Sequence, residues 1–135
     1  MLISDSHKFI YLAVPKTGSS SIEQALAPYR SPLTDKFKKH ATCSRLMREL
    51  PGEIWDQYFT FAFVRNPYDL MQSWYFYRQR DELADPAHPR HHLYTGNTGF
   101  EEFITTFADK EWLLPQVAWV APAARGLQVQ LDYVG

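Results

Sequence analysis

The chain has 135 residues, of which 45% are hydrophobic and 21% charged; this predicts one globular domain and excludes a disordered or collagen-like chain. Its 14 Lys and Arg residues balance 15 Asp and Glu residues, so we expect no broad nucleic-acid surface, and any anion site must be local. A lone cysteine, Cys43, and the lack of a signal peptide or long apolar run indicate a soluble cytoplasmic protein.

The first half of the chain alternates apolar runs with helical patterns. Residues 9–14 and 59–64 are continuous apolar runs of strand length. Between them we predict a helix that opens at Ser20 or Ser21 and stops before Pro28, and another over residues 42–50. More than forty residues separate the strands, which predicts a parallel crossover. The fold class is therefore α/β, a three-layer parallel sheet flanked by helices.

The second half begins with a helix from Pro67 to about Arg80 and continues as a loop over residues 83–99. Thr98 and Glu101 form a capping-box pattern for a helix over residues 100–107. A further helix over residues 111–120 is interrupted by Pro115, and residues 127–134 are predicted as a last strand.

The loop after the first strand, PKTGSSS, is suited to binding an anion. A strand that feeds a helix through such a loop directs backbone N–H groups and the positive end of the helix dipole to one point. Gly18 allows close approach of the backbone and Lys16 supplies a charge. The remaining candidate ligands are hydroxyl side chains: Thr17, Ser19, Ser20 and Ser21. A phosphate or sulfate group fits this pattern.

This loop is not a Walker A motif, because Lys16 precedes Gly18 instead of following the last glycine. The second apolar run also ends without an acidic residue that could organise magnesium. The spacing of His88, His91 and His92 matches no Cys/His metal-ligand pattern. We therefore expect no metal site.

A second anion-binding pattern follows the second strand. Arg65 directly follows the apolar run over residues 59–64, and Ser73 lies about two turns into the next helix. Arginine binds terminal phosphates in bidentate fashion, and α/β sheets place ligands at the carboxyl ends of their strands. We expect both patterns to contact one nucleotide that carries two separated anionic groups.

Together, PKTGSSS and FVRNPYDLMQSWY resemble the 5′-phosphosulfate and 3′-phosphate signatures of sulfotransferases that use 3′-phosphoadenosine 5′-phosphosulfate (PAPS), in particular the carbohydrate sulfotransferase branch. KKHATCSRL, LLPQ and LDYVG are similar to further segments of that family. The resemblance implies a reduced fold like that of the P-loop nucleotide hydrolases. Family sequences continue beyond a segment like LDYVG, so we expect a single sulfotransferase-like domain, residues 1–135, that lacks a C-terminal portion.

The resemblance also implies a role for each candidate residue. Lys16 would stabilise the leaving phosphate, and residues 17–21 would form the cradle for the phosphosulfate. Arg65 and Ser73 would hold the 3′-phosphate. His40 would be the general base for an acceptor hydroxyl, with a carbohydrate favoured by analogy, and neither a membrane nor a nucleic acid is implied as a partner.

Two other functions are compatible with the same residues. One is a nucleotide-binding module that keeps the pocket but has lost catalysis. The other is a phosphoryl-transfer enzyme with an unusual phosphate loop, which would depend on magnesium. The identity of the acceptor and the oligomeric state are not predicted.

Overall fold

The computed structural model describes residues 1–107, 115–122 and 129–135. The chain divides into two compact units, Met1–Val64 with Pro115–Gly135, and Arg65–Leu114. The strands of the described residues are β1 (Leu2–Ser4), β2 (Phe9–Leu12), β3 (Phe59–Ala62) and β4 (Tyr133–Val134). The α-helices of the described residues are α1 (Ser19–Leu26), α2 (Cys43–Glu49), α3 (Gly52–Gln57), α4 (Pro67–Arg78), α5 (Asp81–Ala84), α6 (Phe100–Phe107) and α7 (Val117–Val120). Short 3₁₀ segments cover Ala27–Tyr29, Pro32–Lys36 and His91–Leu93.

The first unit is built on a four-stranded sheet in the order β1-β2-β3-β4. β1 pairs with β2 in antiparallel fashion, with Ile3 opposite Ile10. β2 and β3 are parallel, with Ile10 opposite Thr60, and β3 and β4 are also parallel. The carboxyl ends of β2 and β3 therefore lie at the same edge of the sheet, and the loop that carries Lys16 leaves from that edge.

Helices cover both faces of this sheet. Alternate side chains of each strand point to opposite faces, so each face has its own set of packed residues. On one face, Ile10 and Leu12 pack in a cluster with Leu46 of α2 and Val120 of α7. On the other face, Tyr11 packs with Ile22 and Leu26 of α1 and with Phe61 and Phe63 from β3 and the residue after it. Helices on both sides of the sheet make three layers, so the predicted α/β class is confirmed.

The two-residue strand β4 is held to β3 by a side chain as well as by the backbone. The Asp132 carboxylate accepts hydrogen bonds from the backbone N–H of Thr60, at 2.7 Å, and from its hydroxyl, at 2.8 Å. Beyond the strand, Val64 N–H donates to the Gly135 carbonyl at 2.8 Å. Strand pairing thus continues to the residue that precedes Arg65.

The second unit has its own small core, in which Leu83 of α5 and Phe103 of α6 are fully buried. The Tyr75 ring of α4 meets the Phe103 ring at 5.5 Å between centroids. Hydrogen bonds also tie the predicted loop back to this core: Thr95 N–H donates to the Arg78 carbonyl, and the His91 ring bonds the Leu83 carbonyl at 2.8 Å. Residues 83–99 are therefore a folded segment with helical turns, more ordered than the sequence pattern indicates.

Most predicted elements are present, and their boundaries agree to within two residues. The strands predicted at residues 9–14 and 59–64 are β2 and β3, and the helices from Ser20, at 42–50, from Pro67 and at 100–107 are α1, α2, α4 and α6. The predicted capping box of Thr98 and Glu101 is not formed, because the Thr98 hydroxyl donates to the Thr95 carbonyl and Gly99 is the residue that precedes α6. Part of the helix predicted at 111–120 and part of the strand at 127–134 fall on residues 111–114 and 127–128, outside the described residues.

β1 was not predicted from the sequence, and its antiparallel pairing makes the sheet mixed instead of wholly parallel. The run Leu2–Ser4 is fully buried and is followed by the turn residues Asp5 and Ser6. Three residues are too short for a periodic pattern, so only pairing with β2 defines this strand. It covers an edge of the parallel sheet formed by β2, β3 and β4.

Candidate functional site

The loop between β2 and α1 contains two residues in the left-handed region of backbone conformation. Lys16 has a φ of 65°, and Gly18 has a φ of 76° and a ψ of 15°. Glycine adopts this conformation without a steric cost, whereas lysine adopts it only at a steric cost. Successive turns of this kind point backbone N–H groups into a shared concavity, which is a common way to bind anions.

Gly18 is the residue before the first turn of α1. Its carbonyl accepts from Ser21 N–H at 3.0 Å and from Ile22 N–H at 3.2 Å. The N–H groups of Ser19 and Ser20 therefore lie ahead of the first intrahelical hydrogen bond and point out of the helix end, where the dipole is positive. The Ser19 side chain is buried, and those of Ser20 and Ser21 are exposed.

Thr17 closes the loop on itself. Its hydroxyl donates to the Val14 carbonyl at 2.9 Å, so that hydrogen is used within the loop. A contribution of Thr17 to an anion would therefore come from its backbone N–H and not from its side chain.

His40 lies against the start of the same loop. Its Nδ1 is 2.7 Å from the Ala13 carbonyl oxygen. A carbonyl can only accept, so Nδ1 carries the hydrogen, and in the neutral ring the lone pair is on Nε2. The residue as a whole is exposed, but its ring is partly buried against the loop. This desolvation lowers the pKa of His40, against the raising effect of the Ala13 hydrogen bond. The ring is thus neutral near pH 7 and able to accept a proton at Nε2.

Lys39 joins this segment to α1, a contact that the sequence analysis missed. Its Nζ donates to the Ser20 hydroxyl oxygen at 2.6 Å and lies 3.2 Å from a Glu23 carboxylate oxygen. Burial acts to raise the pKa of Glu23, but bonds and charges from the terminal amine of Met1 and from Lys39 outweigh it and hold that pKa below its usual value. The basic run KFKK, residues 36–39, is visible in the sequence, but the sequence does not indicate which of its lysines contacts the loop.

The other predicted phosphate ligands belong to the second unit. Arg65 is exposed and immediately precedes Asn66, whose side-chain oxygen caps α4 by accepting from Tyr68 N–H at 2.9 Å. Ser73 is half-buried within α4. The Asn-Pro pair after Arg65 thus starts the helix, as expected for proline at the first helical position.

Among residues 1–107, 115–122 and 129–135, no group of three or more His, Cys, Asp or Glu side chains is arranged to hold a metal ion. Within those same ranges, no helix has the length and apolar character that crossing a membrane requires. The His88 ring accepts a hydrogen bond from Arg90 N–H at 3.1 Å, a local turn contact.

Comparison with known proteins identifies the family. A family model described as the sulfotransferase family matches residues 1–120. No curated protein and no solved structure matches the chain. The matched region contains β1 to β3, the PKTGSSS loop, His40, Arg65 and Ser73. Because the match covers most of the chain, the protein belongs to the sulfotransferase family.

Proposed function

We propose that this protein transfers a sulfuryl group from PAPS to an acceptor hydroxyl, with a carbohydrate as the favoured acceptor class. The observation that carries the proposal is the contact of His40 with the loop of Lys16. A base whose tautomer leaves Nε2 available is anchored at 2.7 Å to the strand end from which an anion-binding loop departs. In a chain of the sulfotransferase family, this combination supports sulfuryl transfer.

The 5′-phosphosulfate of the donor binds at the β2–α1 loop. The N–H groups at the start of α1 and the hydroxyls of Ser20 and Ser21 donate hydrogen bonds to its oxygens. The Lys16 ammonium neutralises negative charge that develops on the phosphate as it leaves. Removing one such charge-stabilising group typically costs about 10²- to 10³-fold in rate.

His40 activates the acceptor. Its Nε2 takes the proton from the acceptor hydroxyl as that oxygen attacks sulfur. The new O–S bond forms while the bond from sulfur to the bridging phosphate oxygen breaks. The leaving 3′-phosphoadenosine 5′-phosphate keeps that electron pair. The products are a sulfate ester, the nucleotide and a protonated imidazole, which then releases its proton to solvent.

Arg65 and Ser73 are proposed as ligands of the 3′-phosphate. The support is the sequence motif and the location of Arg65 directly after the strand that pairs with β2. A guanidinium binds a terminal phosphate through two parallel hydrogen bonds, which selects a nucleotide with a 3′-phosphate over ATP. We expect Arg65→Ala to weaken nucleotide binding more than it slows transfer.

Transfer is proposed to proceed without a metal ion. The residue order of the loop differs from a Walker A motif, and the apolar run over residues 59–64 does not end in an acidic residue that could organise magnesium. A rate that is unchanged by EDTA supports sulfuryl transfer. A rate that requires magnesium, together with use of ATP, supports the phosphoryl-transfer alternative instead.

A thermal-shift titration followed by a transfer assay tests the proposal. The nucleotide 3′-phosphoadenosine 5′-phosphate should raise the unfolding temperature in a concentration-dependent manner, and ATP much less, because a ligand stabilises the state that it binds. PAPS that carries a radioactive label in its sulfuryl group is then incubated with a panel of carbohydrate, phenol and alkyl alcohol acceptors, and the label transferred to each acceptor is measured. Binding without transfer to any acceptor would indicate a nucleotide-binding module, and no binding would overturn the proposal.

A further inference from the structure

The Lys39 side chain contacts the proposed donor loop without belonging to it. Lys39 and Ser20 are 19 positions apart in the chain, yet the Lys39 ammonium donates to the Ser20 hydroxyl oxygen at 2.6 Å. The same Lys39 Nζ forms an ion pair with Glu23, with 3.2 Å between Nζ and Oε2. Glu23 lies on the same helix, three residues after Ser20. One ammonium thus bridges the first turn of α1 to the segment that carries His40.

These contacts constrain the hydroxyl of Ser20. A serine hydroxyl has one hydrogen to donate and two lone pairs that accept. Because the ammonium can only donate, the Ser20 oxygen accepts from Lys39, and its own hydrogen is directed elsewhere. The hydrogen bond to a cation also polarises the O–H group, which makes it a stronger donor to an anion.

Glu23 keeps Lys39 in this position. The side chain of Lys39 is 41% exposed and that of Glu23 18% exposed, so the pair lies at the surface of the first unit. An isolated exposed ion pair contributes little stability, and the entropy of a long lysine side chain opposes its ordering. The effect of the pair is therefore expected on the geometry of the loop more than on the stability of the fold.

We propose that Lys39 is a positioning residue for donor binding, which acts through Ser20 by directing the serine hydroxyl as a donor to the 5′-phosphosulfate. The inference rests on the proposed PAPS-dependent function and adds to it a residue that is outside the loop. Glu23 holds the ammonium in place, and His40, the next residue, is positioned separately by its bond to Ala13.

The test compares Lys39→Met with Lys38→Met, which removes an equal charge from an exposed neighbour. Isothermal titration calorimetry with 3′-phosphoadenosine 5′-phosphate measures Kd, and steady-state kinetics with PAPS measure KM and kcat. Lys39→Met should raise Kd and KM for the nucleotide by about 10-fold, the low end for a hydrogen bond to a charged group, with kcat changed by less than about 3-fold. Lys38→Met should change both by less than about 2-fold.

A double-mutant cycle with Ser20→Ala separates positioning from charge alone. If Lys39 acts through the serine, Lys39→Met should cost only about 2-fold in the Ser20→Ala background, since the hydroxyl is already absent. If the two losses simply multiply, Lys39 acts through its charge and the inference is wrong. Equal effects of Lys39→Met and Lys38→Met also overturn it.

Further controls keep the result interpretable. Should Lys39→Met fail to fold by circular dichroism, Lys39→Gln replaces it in the cycle, because the amide is polar but cannot supply the charge. Lys39→Arg should restore binding to within about 3-fold of wild type, since it again donates from a cation. If wild-type protein does not bind the nucleotide, the proposed function itself fails, whereas wild-type binding with unaffected Lys39 variants overturns this inference alone.

Discussion

Lys16, the proposed charge-stabilising residue, has an unfavourable backbone conformation. Its φ of 65° lies where a side chain at Cβ crowds the backbone, a cost of roughly 1–2 kcal/mol for a residue other than glycine. Such strain is typical of residues in ligand-binding loops. The lysine therefore contributes charge at a position where glycine would be more stable.

Comparison of Lys16→Ala with Lys16→Gly tests this conflict. Both variants lose the ammonium, so we expect kcat/KM to fall by about 10²-fold or more in each. The glycine variant should be more stable than the alanine variant by about 0.5–1 kcal/mol, measured by urea unfolding, because only glycine relieves the strain. Retained transfer in either variant, or a more stable alanine variant, contradicts this account.

The pH profile of transfer tests the role of His40. Because burial holds the pKa of His40 below its ordinary value of 6.5, the ring is already neutral at pH 7. The rate should stay level as the pH falls from 8 towards 6.5 and decline only below that. A rate that is halved between pH 8 and pH 7 argues against this histidine as the base.

His40→Asn is the matched variant, since its amide can still donate to the Ala13 carbonyl. We expect transfer to fall about 10²- to 10⁴-fold and the acidic decline to disappear.

The pH dependence of stability provides a second check on His40. The unfolded chain binds a proton at His40 more readily than the folded chain does, so the stability associated with neutral His40 is complete above pH 6.5 and is lost as the pH falls through the folded pKa. The variant should lack this loss.

At the scale of secondary-structure elements, the start of α1 depends on one glycine. Gly18 precedes α1, and its backbone is in the left-handed region. An added Cβ would have no atom within 4 Å, so a side chain at this position would be opposed by backbone conformation and not by a clash. Gly52, at the first position of α3, likewise has open space but no positive φ. The pair isolates the effect of backbone conformation.

We expect Gly18→Ala to lower the free energy of unfolding by about 1 kcal/mol and Gly52→Ala to raise it by about 0.5 kcal/mol. Denaturant unfolding of both variants measures the difference. Equal shifts in the two variants would show that α1 tolerates a different start, and the loop geometry would then not depend on Gly18.

Strand β4 depends on Asp132 for its attachment. Thr60 is buried, and the Asp132 carboxylate accepts from both its N–H and its hydroxyl. Asp132→Ala leaves these donors without that acceptor, so we expect a loss of about 1–3 kcal/mol in denaturant unfolding. Asp56→Ala, at an exposed position of α3, is the control and should change stability by less than about 0.5 kcal/mol. Similar losses in both variants contradict the proposed tether.

At the scale of the whole molecule, protection from hydrogen exchange should follow the sheet. β2 pairs on both sides, with β1 and β3, and residues 10–12 are fully buried. Their amides should exchange only through global opening, the slowest class. Amides of the 3₁₀ segment His91–Leu93 lie in a short turn of the second unit and should exchange at least about 10²-fold faster. Comparable rates in the two segments would contradict this distribution of stability.

The architecture was largely predictable because its signals are local. The apolar runs at residues 9–14 and 59–64 are typical of strands, and the long crossover between them favours parallel pairing. Helical periodicity located α1, α2, α4 and α6. The order of residues in PKTGSSS and the motif at Arg65 were enough to indicate the family, which the match over residues 1–120 confirms.

Contacts between distant segments could not be predicted in this way. The bond of His40 to the Ala13 carbonyl joins residues 27 positions apart, and that of Lys39 to Ser20 joins residues 19 apart. No periodicity distinguishes Lys39 from Lys38, and three apolar residues do not define β1. The sequence by itself determined β2, β3, the longer helices and the family, because these signals depend on neighbouring residues. Only packing of the chain on its sheet decided which lysine meets the serine and which carbonyl orients the histidine.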